Sequence, residues 1–419
     1  MTYAADNELE AMLDAIVVAQ MPSGGWTFAH APGARAEPLT ILVRGAERVL
    51  APLGLADWEL VVLRSPGTPA AGLVLLEGYR RTGRVEYLAA ARRAGDLLVA
   101  VQLDAGGWFS EMPVFGTRLP RWFPPFTWGT MIDDDVTPGA ARFLLALWKT
   151  TGVGRYRRAA ERGIALLVRA QLPGGGWPLV RRRPWIRALH TRYPDLPSVN
   201  DGATPQAIRT LLIAADGLGR PKLRRLAARG GRWLVRVQGV APQAAWAQQY
   251  DAASRPAPAR RFEPAGFASW ETRYALDALD ALARATGDRV WCAPLAAAVD
   301  WLKRSALAPG CWARLYGVGS NTPLYAATDG TLVDTPSLAY ANYSWRGDFG
   351  IPALLARVAS SRDGARPPSR LVGDPGSCPG DPPHGGAAAI PADPRALIAR
   401  TAMRLETLAP PEPSPCVAE

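Results

Sequence analysis

Residues 137–177 read TPGAARFLLALWKTTGVGRYRRAAERGIALLVRAQLPGGGW, and this stretch decides the fold. Apolar residues recur at helical spacing from Pro138 until Gly152 stops them. After a short turn, a second run of the same period carries arginines on one face and ends at Gly-Gly-Trp. The unit is a helical hairpin closed by a tryptophan.

The same unit recurs along the chain. Trp26, Trp108, Trp177, Trp246 and Trp312 end the phrases VAQMPSGGW, AVQLDAGGW, RAQLPGGGW, VQGVAPQAAW and ALAPGCW, at spacings of 82, 69, 69 and 66 residues. Between them stand the openings TPAAGLVLLEGYRRTG from Thr68, TPQAIRTLLIAADGLG from Thr204 and SWETRYALDALDALARATG from Ser269. The Thr-Pro pairs predict a threonine N-cap with proline at the first helical position. Alanine-rich first helices are expected inside and arginine-bearing second helices outside, giving an all-α fold, an α/α toroid of helical hairpins. The long connections from each tryptophan to the next first helix are expected to gather on one face and carry the site.

Composition is consistent with this. The chain has 419 residues, 48% hydrophobic and 20% charged, so a large core is affordable and wholesale disorder is excluded. No apolar run is long enough to span a membrane. The net charge is +11, and only Lys149, Lys222 and Lys303 among the 48 basic residues are lysine. An arginine-rich coding bias explains this blandly; an anionic ligand is the functional alternative. No nucleic-acid-binding motif or basic stripe interleaved with aromatics is present. Cys292, Cys311, Cys378 and Cys416 lack metal-site spacing, and the first two bracket a helix of about 20 Å, too long for a mutual disulfide. The toroid is expected over 1–358, a Pro/Gly-rich linker over 359–395 and a tail over 396–419, with a helix over Pro394–Leu408 in a segment that reads as dispensable.

Carboxylates cluster before the first helices: Asp133, Asp134 and Asp135 ahead of Thr137, and Asn200 with Asp201 ahead of Thr204. Helix capping explains one acid per helix. Three in a row point further, to oxygen ligands for a hard cation such as Ca²⁺. Arginines crowd the same connections, notably Arg260, Arg261 and Arg314, as do Glu263 and Glu271. Without chemistry, Arg314 would be a surface ion pair contributing about 0–1 kcal/mol.

These motifs carry a resemblance. The Gln-x-x-x-Gly-Gly-Trp phrases, DDxxTxxxxRFL from Asp133, NDGAT from Asn200, WAQQYD from Trp246, ARRFEP from Ala259, SWE from Ser269 and WARLYGVGSNTPLY from Trp312 stand in order over Leu9 to Gly350. Together they resemble the pectate lyases of the tenth polysaccharide-lyase family. The resemblance implies an α/α barrel that cleaves polygalacturonate by Ca²⁺-assisted β-elimination. It implies calcium or calcium-bridged uronate at Asp133, Asp134 and Asp201, and Arg314 as acceptor of the C5 proton. Substrate would meet Arg260, Arg261, Glu263, Glu271 and Asn200. A neutral arginine, needed for a base, would require a crowded cationic site.

The partner implied is an acidic oligo- or polysaccharide met by a monomer, with no nucleic acid and no membrane span. The resemblance implies a secreted or periplasmic protein, whereas MTYAADNELEAML lacks the order of a signal peptide. Thr27-Phe28-Ala29-His30, where that family has a Lys-Asn pair, and Ser198-Val199 before Asn200 depart from its pattern and leave the glycan open. Two other readings are a non-catalytic glycan-binding toroid and a terpene-cyclase-like toroid. The latter lacks its first acid, since Ile132 precedes Asp133 where a DxDD motif would begin.

Overall fold

The computed structural model describes residues 2–27, 59–114, 129–182, 193–356, 378, 393–408 and 415–416. They fall into two compact units. The first comprises Met1–Leu166, Arg182–Ile186 and Ala389–Leu405; the second comprises Leu167–Arg181, Arg187–Ala388 and Glu406–Glu419. Of the arginines in the connection after Trp177, Arg183, Arg187 and Arg192 lie outside the described residues, as do Phe28, Ala29 and His30. Among the described residues no helix is long and apolar enough to cross a membrane.

The first unit contains α1 (Thr2–Val18), the hairpin α2 (Thr68–Thr82) and α3 (Val85–Ala100), and α4 (Val136–Thr151), with most of α5 (Gly154–Ala170). The predicted first helices α2 and α4 pack against each other, and α2 packs on its hairpin partner α3. Strands β1 (Glu59–Val62) and β2 (Glu111–Val114) pair antiparallel. In the second unit α6 (Ala203–Gly217) packs on α7 (Pro221–Val237) and on α8 (Ser269–Thr286), which packs in turn on α9 (Cys292–Arg304). Helix α6 buries Ala203, Ala207, Ile208, Leu211 and Ala214, while α7 exposes Arg225, Arg232 and Arg236. That is the inner and outer division expected from the two kinds of apolar run. Glycines in the left-handed conformation end α2, α4 and α8 at Gly83, Gly152 and Gly287.

The threonines do something other than capping. The residues before the helices are Gly67, Asp135 and Gly202, none with a side-chain cap bond. Instead Oγ1 of Thr68, Thr137, Thr204 and Thr272 accepts the backbone N–H of Trp26, Trp108, Trp177 and Trp246, at 3.2, 3.2, 2.9 and 3.0 Å. Each tryptophan is fully buried and donates its indole N–H to a carbonyl at the end of the helix before it: Ile16, Leu98, Leu167 and Leu234. The glutamine of the phrase completes the clamp. Nε2 of Gln102 donates to Gly106 and to Ala159 on the next second helix; Gln171 does the same to Gly175 and Leu226. Gly106 and Gly175 hold φ of +100° and +107°, and a Cβ on either would stand 2.6 Å from the carbonyl oxygen of Arg162 or Arg229. The repeat sequence is the record of these bonds.

Thr204→Val should cost about 1–3 kcal/mol in urea denaturation, because the buried amide of Trp177 then has no acceptor. An unchanged midpoint would mean that packing alone holds the clamp.

The tail is not loose. The expected helix forms as α10 (Pro394–Leu408), in the first unit, where Arg400 pairs with Glu8 at 2.9 Å. Disulfides join Cys292 to Cys416, beyond that helix, and Cys311 to Cys378, ahead of it, within the second unit. Cys292 and Cys311 do not pair with each other, as the helix between them requires.

Candidate functional site

In the second unit, β3 (Phe267–Ala268) leads directly into α8 and pairs antiparallel with β5 (Leu315–Tyr316), Ala268 opposite Leu315. Strand β4 (Trp312–Ala313) pairs with β8 (Arg346–Gly347), and β5 continues through β6 (Pro323–Ala326) to β7 (Leu332–Val333). Arg314 sits between β4 and β5. Its carbonyl accepts the Ser269 amide at 3.0 Å, its amide donates to Trp345 at 2.7 Å, and Ser269 Oγ donates to the Ala313 carbonyl at 2.7 Å. This stitching lays Arg314 against the first turn of α8, where Glu271 stands.

The side chains meet there. Arg314 Nη2 donates to Glu271 Oε1 at 3.2 Å, and Asp201 Oδ1 lies 3.9 Å away. Arg314 is only 6% exposed and Glu271 is fully buried, so their ion pair is an interior one and not the surface pair of the non-catalytic alternative. The guanidinium lies between rings, 4.8 Å from the centroid of Trp270 and 4.7 Å from that of Tyr343. Gln248 Nε2 joins the group within hydrogen-bond distance of three acceptors that share its two hydrogens: Glu271 Oε1 and Asn200 Oδ1 at 3.2 Å each and the Tyr343 hydroxyl at 2.7 Å. Arg314 Nε, Glu271 Oε2 and Gln248 Oε1 are buried without hydrogen-bond partners among the described residues.

Charge in this site follows burial first. Burial pushes Glu271 up, and Arg314 only partly offsets it. Burial alone would lower Arg314, but Tyr343, Glu271, Asp201 and Glu263 more than offset that and raise it above the usual arginine value. The surroundings of Arg314 are therefore anionic and aromatic, not the crowded cationic site that a neutral guanidine requires. The resting side chain is a cation.

Beside it, Glu263 accepts both Nε and Nη2 of Arg260, at 2.8 and 2.6 Å, and the Arg260 amide at 3.0 Å. Glu263 is buried; Arg260 reaches out over Phe262, whose ring also packs on Tyr340 and Tyr343. Arg261 is exposed and donates to the Asp329 carbonyl. Burial would raise Glu263, yet the bonded Arg260 wins and holds it below the usual carboxylate range. A lowered carboxylate contributes stability above its unfolded value, about 4.3, and loses it as pH falls through the lower folded value. Glu263→Gln should therefore cost about 2 kcal/mol at pH 7, discounted for the exposure of Arg260, and almost nothing well below pH 4. Denaturant titrations at both pH values decide this; an equal deficit at both would show that the charge is not involved.

The structure thus gathers Arg314, Glu271, Asn200 and Asp201, with Arg260 and Glu263 adjoining. Asn200 and Glu271 are buried and orient Gln248 and Arg314. Asp133 and Asp134 belong to the first unit, where Asp133 is buried and the Asp134 carbonyl accepts the Ser65 amide at 2.9 Å. Asp134, Asp135 and Asp201 hold φ of +50°, +57° and +47°, a region aspartate tolerates better than most residues, and Asp135 pairs with Arg142. Backbone conformation accounts for part of the acidic run. Among the described residues no group of three or more His, Cys, Asp or Glu side chains is placed to hold a metal. Sequence reading missed Gln248, Trp270 and Tyr343; the first two stood inside the quoted motifs WAQQYD and SWE, and Tyr343 had no signal.

Comparison with known proteins agrees with the motifs. Residues 126–309 match the pectic acid lyase family, so the resemblance holds over that stretch; Arg314 lies just beyond it. No curated protein sequence matches the chain. Among solved structures, the chain is similar to a family 10 polysaccharide lyase from Cellvibrio cellulosa in complex with trigalacturonic acid. It is 18% identical over 71% of this chain and 98% of that one, with a TM-score of 0.53. It is also similar to cellobiose 2-epimerase from Bacillus thermoamylovorans, 10% identical over 87% and 84%, TM-score 0.57. An α-1,6-mannanase of a Salegentibacter species is 12% identical over 96% and 99%, TM-score 0.52. At such identities the likeness shows the fold, which is the all-α, α/α toroid class. The family match over residues 126–309 supports a polysaccharide lyase, and the structural likeness adds the fold.

Proposed function

We propose that this chain, similar over residues 126–309 to the pectic acid lyases, is a lyase that cleaves an acidic polysaccharide, polygalacturonate first, by Ca²⁺-assisted β-elimination. The observation that carries the reading is Arg314, buried against Glu271 with Asp201 beside it, on residues of the WAR, SWE and NDGAT motifs. A buried cation edged by an arginine-aromatic surface suits a uronate chain. Arg260 and exposed Arg261 offer donors for its carboxylates, and Phe262 and Tyr340 offer ring faces for its sugars.

The donor proposed for calcium in the second unit is the carboxylate of Asp201, whose side chain is 28% exposed; Asp133 and Asp134, in the first unit, are calcium donors by the resemblance alone. An ion at Asp201 would take its remaining ligands from substrate carboxylates and water. Calcium, when bound, would neutralise the uronate carboxylate and acidify the neighbouring C5–H.

Arg314 is proposed to take that C5 proton. Being a cation at rest, it must shed one first, and Glu271, bonded at 3.2 Å and raised by burial, is the group placed to receive it. The net transfer runs from C5 through Arg314 to Glu271, while Asn200 and Gln248 keep the carboxylate aimed.

The test is absorbance of unsaturated product on a panel of polyuronates, with calcium and with chelator. Calcium-dependent product from polygalacturonate is expected. Product from another uronan alone would move the substrate. Binding without product would favour a non-catalytic scaffold.

A further inference from the structure

Elimination breaks the C4–O4 bond, and the departing sugar oxygen is a poor anion that needs a proton. The residues considered so far handle only the proton on C5. One hydroxyl in the site is placed for the other. Tyr343 is half-buried, its ring held edge-on by Phe262 at 5.2 Å and Trp345 at 4.8 Å, with the guanidinium carbons of Arg314 and Arg260 at 4.7 and 5.9 Å from its centroid.

The hydrogen bond to Gln248 sets the direction of the phenolic proton. The Gln248 amide nitrogen must face Glu271, because a carboxylate only accepts, and the same nitrogen lies 2.7 Å from the Tyr343 hydroxyl. The hydroxyl oxygen is therefore the acceptor in that bond, and its own hydrogen is left to donate elsewhere.

We propose that Tyr343 is the general acid that protonates the departing glycosidic oxygen. The inference rests on the lyase reading above. The C5–H electron pair forms the C4–C5 double bond, the C4–O4 pair leaves with oxygen, and that oxygen takes the phenolic proton. Arg314, having passed its own proton to Glu271, accepts the proton from C5; the proton held by Glu271 then returns through water to the phenolate, so that every group regains its starting state. Two guanidinium groups flank the ring and stabilise the phenolate formed in the step. Burial, ahead of the opposing effect of Arg314, raises the phenol above its usual value, so it is protonated at neutral pH and acts as donor, not base.

The test compares wild type with Tyr343→Phe on an oligogalacturonide and on an analogue carrying fluoride at C4, which departs without a proton. On the oligogalacturonide, kcat should fall by about 10²–10³ with KM within about threefold. On the fluoride, the loss should be less than about threefold. Equal loss on both substrates, or none on either, would overturn the proposal. If Tyr343→Phe does not fold, 3,5-difluorotyrosine at 343 replaces it. The alkaline limb of the kcat profile should then move to lower pH; an unmoved limb overturns the assignment. Wild type that yields unsaturated product from neither substrate would instead overturn the lyase reading, and this inference with it.

Discussion

Arg314→Ala should lower kcat on polygalacturonate by about 10²–10⁴ and also cost about 3–5 kcal/mol of folding stability. The second effect follows from burial: removing the guanidinium leaves the fully buried Glu271 with a charge opposed by the neutral donor Gln248 and backbone N–H but no cation in contact among the described residues. Two variants separate the effects. Arg314→Ala combined with Glu271→Gln removes both charges and should recover much of the stability while restoring no activity. Arg314→Lys keeps the cation but loses the planar fork between Trp270 and Tyr343, so it should fold better than the alanine variant and still turn over poorly. Strict additivity of the single substitutions in denaturation would mean that the two side chains are not coupled. Wild-type-like turnover in any folded variant would remove Arg314 from the chemistry.

The next largest effect is expected from the cysteines. Cys292–Cys416 closes a separation of 124 residues and Cys311–Cys378 one of 67, so opening either alone should cost about 4–5 kcal/mol by the chain-entropy argument. The loops are nested, and closing the inner one shortens what the outer one must close. Each single loss is measured with the other bond already shortening its loop, so the double Cys→Ser variant should lose slightly more than the sum of the two single losses. Denaturation of the oxidised protein, both single pairs and the double variant measures this; indifference to reductant would show that the bonds do not form in solution. Such bonds persist in oxidising compartments.

Much of the fold was legible because the repeat is written in residues with strong local meaning. A glycine at positive φ, a glutamine reaching two carbonyls and a tryptophan with one indole N–H to satisfy recur together at Trp26, Trp108 and Trp177, while the Trp246 clamp keeps the glutamine and the tryptophan without the glycine. The threonines were misread for a physical reason. A Thr-Pro at a helix start satisfies the rules of capping, and nothing local reveals that the hydroxyl instead serves an amide 27 residues earlier. At the site, Arg314, Glu271 and Asp201 could be named because motifs carried them, but their burial could not. It arises when the pairing of β3 with β5 folds Arg314 under α8. Tyr343 lies 95 residues from Gln248, in a stretch with no pattern, and only the folded chain brings them together.

The clamp between each tryptophan and its threonine also has a consequence for how such a protein can change. The paired residues are 42, 29, 27 and 26 positions apart, yet each pair is held at hydrogen-bond distance. The ends of these four connections are thus fixed by the scaffold whatever the number of residues between them. By loop-closure entropy the difference between 26 and 42 residues is only about 0.4 kcal/mol. New recognition surfaces can be grafted onto such stems one at a time, with the helical frame beneath indifferent to the exchange.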